Sequence, residues 1–313
     1  MEQPLYNQKM KILPSLAPFK QSLSLPGGNL FYYDSERSAD SENNASDKPA
    51  ILLIHGLGDE ADTWRHIFPT LANAGYRIIA PDLPGFGRSL WKERITIRRH
   101  SQAIARLMAT TARASAEHPI VLIGSSLGAG IAEIAAISHP ELVKGVIMIG
   151  GCFPFDYKID KSLILLMLPF FGKNWYHSFR SNHEAAWKSL YPYYHDLDSM
   201  SSDDKDFLRE RVIARVESSN QEHGYFSTMR SMYPFLLFGK RSMARKIRAF
   251  PGKINLIWGK NDRVFPPEKA GLFRSLRPDV DIIFIDGAGH LPQQEKPDEC
   301  ATEIVRILES HRP

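Results

Sequence analysis

The run Ile51-Leu52-Leu53-Ile54 constrains this chain more than any other feature, because it has no polar alternation. Side chains of a strand point alternately to opposite faces, so an unbroken apolar run needs cover on both sides. The pattern recurs at Arg77-Ile78-Ile79-Ala80, Ile120-Val121-Leu122-Ile123 and Val146-Ile147-Met148-Ile149. It returns late, at Ile254-Asn255-Leu256-Ile257-Trp258 and Ile282-Ile283-Phe284-Ile285, while Leu30-Phe31-Tyr32-Tyr33 reads as an earlier strand. Residues 100–114, 127–138 and 299–310 read as helices between or after these runs. Strand and helix therefore alternate, which predicts an α/β architecture with a doubly wound sheet.

The alternation breaks between residues 152 and 250, a stretch rich in aromatics, Met and charge. Helical periodicity is clearest over residues 203–217, and no strand run interrupts it. Because the strand pattern resumes afterwards, one sheet is interrupted by a helical insertion; an independent helical domain is the competing reading. The expected division is an N-terminal extension over 1–29, a core of 30–151 plus 251–313, and an inserted helical lid over 152–250.

The chain has 313 residues, 24% of them charged, with a formal net charge of +4. The basic clusters are short: Arg94, Arg98-Arg99, and residues 241–248. They read as solvated faces, not as a nucleic-acid footprint. Cys152 and Cys300 form neither a metal-ligand spacing nor a disulfide framework, which favours a reducing compartment. Residues 1–20 carry no apolar run of signal-peptide length, and the apolar run at 163–171 is too short to span a bilayer. The expectation is a cytoplasmic protein with no integral membrane segment. No sequence feature specifies an oligomeric state.

The chemistry concentrates at glycine-marked junctions. Gly124-Ser125-Ser126-Leu127-Gly128 directly follows an apolar run and opens a helix. A sharp strand-to-helix turn there puts Ser126 at the tip, with Ser125 the structural neighbour, and its helix N-terminus favours developing negative charge. A plain helix cap is the bland alternative. A serine hydroxyl needs a base, and Gly287-Ala288-Gly289-His290 places a histidine on a small-residue loop before the last helix. The imidazole in turn needs an orienting acid. Asp262, in Trp258-Gly259-Lys260-Asn261-Asp262, is favoured, and Asp156, after the 146–149 strand, is the rival. His55 looks reactive but reads as a brace for its own loop. The turn Asp82-Leu83-Pro84-Gly85-Phe86-Gly87-Arg88-Ser89 reads as a shaper of the site's rim.

Five motifs in order resemble the α/β-hydrolase superfamily, in its lid-bearing esterase, lipase and carbon–carbon hydrolase branch. They are His-Gly-x-Gly from His55, Asp-x-Pro-Gly-x-Gly-x-Ser from Asp82, Gly-x-Ser-x-Gly from Gly124, Trp-Gly-x-x-Asp from Trp258 and Gly-x-x-His from Gly287. The resemblance implies an eight-stranded, mostly parallel sheet flanked by helices, with a helical lid inserted after strand 6. It implies a serine hydrolase working through Ser126, His290 and Asp262, with oxyanion donors on the Leu57 and Leu127 amides. Neither metal nor cofactor is expected. Epoxide hydrolases and haloalkane dehalogenases place aspartate where Ser126 stands, and proline iminopeptidases place tryptophan where Leu127 stands; both are disfavoured.

The expected substrate is a small carboxylic ester or other acyl compound. Carbon–carbon hydrolysis of a diketone and a non-catalytic ligand-binding role are the alternatives. Phe153, Leu166, Phe170 and Trp175 are candidate acyl-binding residues of the lid, and their apolar surface also fits transient contact with lipid.

Overall fold

The computed structural model describes residues 10–36, 48–151 and 169–310. Two strands open it, β1 (Lys20–Leu25) and β2 (Gly28–Asp34), joined by a Pro26-Gly27 turn into an antiparallel hairpin. The chain continues through β3 (Ile51–Ile54), α1 (Ile67–Asn73), β4 (Ile78–Pro81), β5 (Leu90–Trp91) and α2 (Ile97–Thr110). Then come β6 (Ile120–Ser125), α3 (Leu127–Ser138) and β7 (Val143–Ile149).

Five described helices separate β7 from the next strand: α4 (Pro169–Ser181), α5 (His183–Lys188), α6 (Ser202–Glu217), α7 (Ser219–Phe238) and α8 (Lys240–Ala249). The chain ends with β8 (Lys253–Gly259), α9 (Glu268–Leu272), β9 (Asp281–Ile285), α10 (Pro292–Glu295) and α11 (Pro297–Ser310).

The sheet runs β1-β2-β4-β3-β6-β7-β8-β9, with the two-residue β5 pairing off the path against β2. Every pair from β4 through β9 is parallel, and only the β2 pairings are antiparallel. The path holds the eight expected strands, and β5 is an addition. Strand β7 is the sixth of the eight in chain order, and the helices α4 to α8 follow it.

The unbroken apolar runs have the structural cause anticipated for them. Leu52, Ile54, Leu122, Met148 and Leu256 enter one core, which Ile104, Leu107, Ile131, Ala135 and Ile247 close from α2, α3 and α8. Their alternates Ile51, Leu53, Val121, Ile123 and Ile147 enter a second core, closed by Phe68 and Leu71 of α1 and by Ile304, Ile307 and Leu308 of α11. Each such side chain contributes roughly 1.5–3 kcal/mol of burial, so both faces take part in holding the sheet between its helices.

Within the stretch read as an N-terminal extension, β1 completes the antiparallel edge of the sheet. Its sequence, Lys20-Gln21-Ser22-Leu23-Ser24-Leu25, is mostly exposed and polar, as an edge strand tolerates, so it lacks the apolar signature of the central strands. Helix α2 begins three residues earlier than the apolar pattern indicates, where the Thr96 side chain accepts from the Arg99 amide as a cap.

A buried ionic cluster fastens α6 to the sheet. Asp82, at the end of β4, accepts from Arg88 Nε at 2.8 Å and Nη2 at 2.9 Å. Arg88 Nη1 also reaches Asp62, which accepts from the Tyr33 hydroxyl at 2.7 Å and from Arg211 Nη2 of α6 at 2.8 Å. Arg215, one turn further along α6, donates to both Glu60 oxygens and to Asp59. Burial pushes the Glu60 carboxyl up, but Arg215, Arg211 and Arg88 outweigh it and hold it below the ordinary range. Burial dominates at Asp62, whose carboxyl stands above that range despite Arg88 and Arg211.

Removing one partner from such a cluster strands a buried charge. Arg88→Met leaves Asp82 and Asp62 undercompensated and is expected to destabilise the protein by about 3–5 kcal/mol in urea unfolding. A loss below about 1 kcal/mol would show that water replaces the guanidinium beside Asp82 and Asp62.

Candidate functional site

Strand order fixes where a site can form. The parallel strands run outward from β3 in both directions, to β4 on one side and β6 on the other. A crevice opens beyond the carboxyl ends of the strands at such a reversal. Ile54 of β3 pairs with Gly124 of β6, so the loops after these two strands leave the sheet side by side.

The loop after β6 is a sharp turn into α3. Ser126 stands at its tip with φ 53° and ψ −118°, a conformation that costs a residue with a Cβ roughly 1–3 kcal/mol. The flanking glycines exist because α3 starts almost against β3. A Cβ on Gly128 would lie 2.2 Å from the Ile54 carbonyl oxygen, and one on Gly124 would lie 2.2 Å from that of Gly128. Ser126 is held from behind by its own amide, which donates to the Ile149 carbonyl of β7 at 2.8 Å. The adjacent Ser125 is buried, and its hydroxyl accepts from Gln293 at 3.0 Å, which gives it a structural place.

His290 and Asp262 come to Ser126 from the loops after β9 and β8. His290 Nε2 lies 2.9 Å from Ser126 Oγ, and Nδ1 lies 2.9 Å from Asp262 Oδ2. A carboxylate only accepts, so Nδ1 carries the proton and Nε2 is free to accept from the serine hydroxyl. Asp262 is buried and its other oxygen accepts from the Val264 and Phe265 amides, both at 2.8 Å, which aims Oδ2 at the imidazole. The His290 ring sits between Phe265, edge-on at 5.2 Å, and Tyr193 at 5.9 Å. Its amide donates to the Tyr193 carbonyl at 2.8 Å.

Glu295 of α10 shapes the same loop by accepting from the amides of Gly289 at 2.5 Å and His195 at 2.6 Å. Burial raises its carboxyl in spite of those bonds. Asp156 lies outside the described residues.

The loop after β3 faces Ser126 from the other side. A Cβ on Gly56 would stand 3.3 Å from Ser126 Cβ. His55 is fully buried; its Nε2 accepts from the Leu83 amide at 2.8 Å, so its proton is on Nδ1, 2.8 Å from the Gly56 carbonyl oxygen. His55 thus braces its loop. In a trans peptide the carbonyl and the following N–H point in opposite directions. With Gly56 O held by His55, the Leu57 N–H is turned away from it. Leu127 is the first residue of α3, where helix geometry supplies no intrahelical acceptor for its N–H.

The Asp82–Ser89 turn packs beside this loop through the ionic cluster and through Asp82 Oδ1, which accepts from the Ala61 amide at 2.7 Å. His100 of α2, buried against Phe86, is pushed down to about 3 by burial and by His55, and so stays neutral.

Of the four acyl-binding candidates, Phe153, Leu166 and the side chain of Phe170 lie outside the described residues. Trp175 is 40% exposed on α4, its ring edge-on to Phe179 at 4.7 Å, and no contact ties it to Ser126. Residues that do hold the His290 loop, Glu295 and Tyr193, are single polar or aromatic positions in helical stretches without a motif to mark them. A cavity of about 580 Å³ lined by Leu25, Trp91, Arg106 and Leu142 contributes no residue to the Ser126 group. Among the described residues, no cluster of three or more His, Cys, Asp or Glu is arranged to hold a metal. No helix among them is long and apolar enough to cross a membrane.

Comparison with known proteins agrees with this architecture. Lipase 1 of Psychrobacter immobilis is 26% identical over 300 residues, spanning 93% of this chain and 86% of that protein. The 2-hydroxy-6-oxononadienedioate/2-hydroxy-6-oxononatrienedioate hydrolase of Burkholderia vietnamiensis is 24% identical over 264 residues, 83% of this chain and 86% of its own. The solved structure of a thermophilic esterase from Thermogutta terrifontis superposes with a TM-score of 0.72 at 18% identity, covering 94% of this chain and 99% of that one. The family model described as the alpha/beta hydrolase fold matches residues 49–297, most of the chain. The chain belongs to the alpha/beta hydrolase fold family.

Proposed function

We propose that this protein is a serine hydrolase that cleaves a carboxylic ester through an acyl-enzyme. The observation that carries the reading is the unbroken series Ser126 Oγ, His290, Asp262, with both links at 2.9 Å. In this reading His290 takes the Ser126 proton as the hydroxyl attacks the ester carbonyl. The Leu57 and Leu127 amides receive the negative charge on the carbonyl oxygen. The tetrahedral species collapses, His290 returns the proton to the leaving alcohol, and the acyl group stays on Ser126. Water, giving a proton to His290, then attacks that acyl group, and as the second tetrahedral species collapses His290 returns the proton to Ser126 Oγ and the acid leaves. Asp262 holds the imidazole and stabilises its cationic form. The likeness to Lipase 1 of Psychrobacter immobilis supports ester chemistry.

Residues 152–250 are proposed as a lid over this site. The described part carries exposed apolar surface at Phe171 (59%) and Trp175 (40%) of α4, which suits contact with an acyl chain or a lipid surface. A second reading, hydrolysis of a carbon–carbon bond in a diketone, draws support from the likeness to the Burkholderia vietnamiensis hydrolase. A panel pairing p-nitrophenyl esters with a vinylogous diketone separates the two by which substrate turns over.

Ser126→Ala is expected to abolish p-nitrophenyl ester turnover with an unchanged circular dichroism spectrum; an unchanged rate refutes the nucleophile. Asp262→Asn is expected to lower kcat by about 10³- to 10⁴-fold by destabilising the required tautomer. Asp156→Asn should stay within about twofold, and the reverse pattern transfers the acid role to Asp156. Phe171→Ala with Trp175→Ala should raise KM for a long-chain ester about fivefold, equivalent to roughly 1 kcal/mol of apolar contact, and leave the acetate ester alone. Equal effects on both esters remove the acyl-chain role.

A further inference from the structure

The first turn of α7 touches the site's backbone in a way its sequence does not announce. Gln221 is 1% exposed, and its side-chain amide bridges two loops. Nε2 donates to the Gly58 carbonyl at 2.9 Å, and Oε1 accepts from the Gly87 amide at 2.9 Å. Its neighbour Asn220 makes a parallel pair one loop away, donating to the Ser89 carbonyl at 3.0 Å and accepting from the Trp91 amide at 3.3 Å. Of these two side chains, Gln221 is the one that reaches the loop carrying Leu57.

That loop needs outside support. Leu57 stands between Gly56 and Gly58, the latter at φ +75°, so its backbone is flanked by residues with little steric preference. The orientation of its N–H is therefore set by what holds the neighbouring carbonyls. His55 fixes Gly56 O from the sheet side. Gln221 fixes Gly58 O from α7, and Arg215 of α6 clamps the Asp59 and Glu60 carboxylates just beyond. Gln221 thus ties an inner carbonyl of this loop to α7.

We propose that Gln221 is a positioning residue for the Leu57 oxyanion donor: the segment inserted between β7 and β8 completes the transition-state site without touching substrate. The inference rests on the acyl-transfer reading of Ser126. Without Gln221, the Gly58–Asp59 peptide rests on its Asp59 N–H bond to the Gly56 carbonyl at 3.4 Å; as it shifts it disturbs that carbonyl, and the Leu57 N–H of the same Gly56–Leu57 peptide loses its aim at the developing oxyanion while the substrate's ground state binds as before.

The test compares wild type, Q221M, Q221E and N220A. Q221M removes both bonds; Q221E keeps the acceptor for Gly87 but loses the ionised side chain's donor to Gly58 O, and carries the test if Q221M does not fold. Both are expected to lower kcat for a p-nitrophenyl ester about 10- to 100-fold with KM within about twofold, less than deleting an oxyanion donor outright. A trifluoromethyl ketone, which forms an oxyanion on Ser126, should lose affinity by the same factor, while the isosteric unreactive amide should keep its Ki. N220A, with equivalent bonds to the other loop, should keep kcat and both inhibition constants near wild type after correction for folded fraction. A parallel weakening of both inhibitors in Q221E, or the same kcat loss in N220A, makes Gln221 a structural fastener and overturns the proposal. Failure of the underlying reading is separately visible: the wild type would then bind the fluoroketone no better than the amide, and Ser126→Ala would retain turnover.

Discussion

Helix α3 begins closer to strand β3 than any side chain permits, and the rest of the molecule is arranged around that approach. Gly128 lies where even a methyl group would collide with the Ile54 carbonyl. The close approach is what forces the β6–α3 turn to be sharp and leaves Ser126 at a positive φ, displayed above the sheet instead of folded into the helix. Parallel order on either side of β3 then brings the other two loops within reach. A sheet with both faces packed is needed to resist the strain, and the two cores built from alternate residues of β3, β6 and β7 supply it.

The central strands and the grouping of Ser126, His290 and Asp262 were legible because each has a local cause. A strand buried on both faces must be apolar throughout, and a functional side chain displayed on a tight turn needs glycine beside it. The parts that escaped notice have causes that act across the chain. Strand β1 is polar because it lies at an edge, so Lys20-Gln21-Ser22 carries no signature that separates it from a loop. Gln221 and Arg215 read as ordinary polar positions of amphipathic helices, and only the fold shows that they turn inward to Gly58 and Glu60. Trp175 was singled out for its aromatic surface, and surface is where it stands.

The same contrast explains why the reaction type is better defined than the substrate. The proposed chemistry needs one hydroxyl, one imidazole and one carboxylate in series, and these have fixed hydrogen-bond partners at 2.9 Å. In the proposed reading substrate choice belongs to apolar surfaces, and such surfaces discriminate by shape and area and leave only a composition bias in sequence.

Asn220 and Gln221 fasten α7 to the core by bonding main-chain carbonyls and amides of Gly58, Gly87, Ser89 and Trp91. Main-chain groups are the same whatever residue carries them. The attachment itself therefore reads backbone path and not side chains, yet that path calls for glycine at 58 and 87, which stand at φ +75° and +52°. A Cβ at position 87 would lie 2.4 Å from Asp82 Oδ2, so a single substitution there disturbs the seat of α7 and the ionic cluster that holds α6 at one stroke.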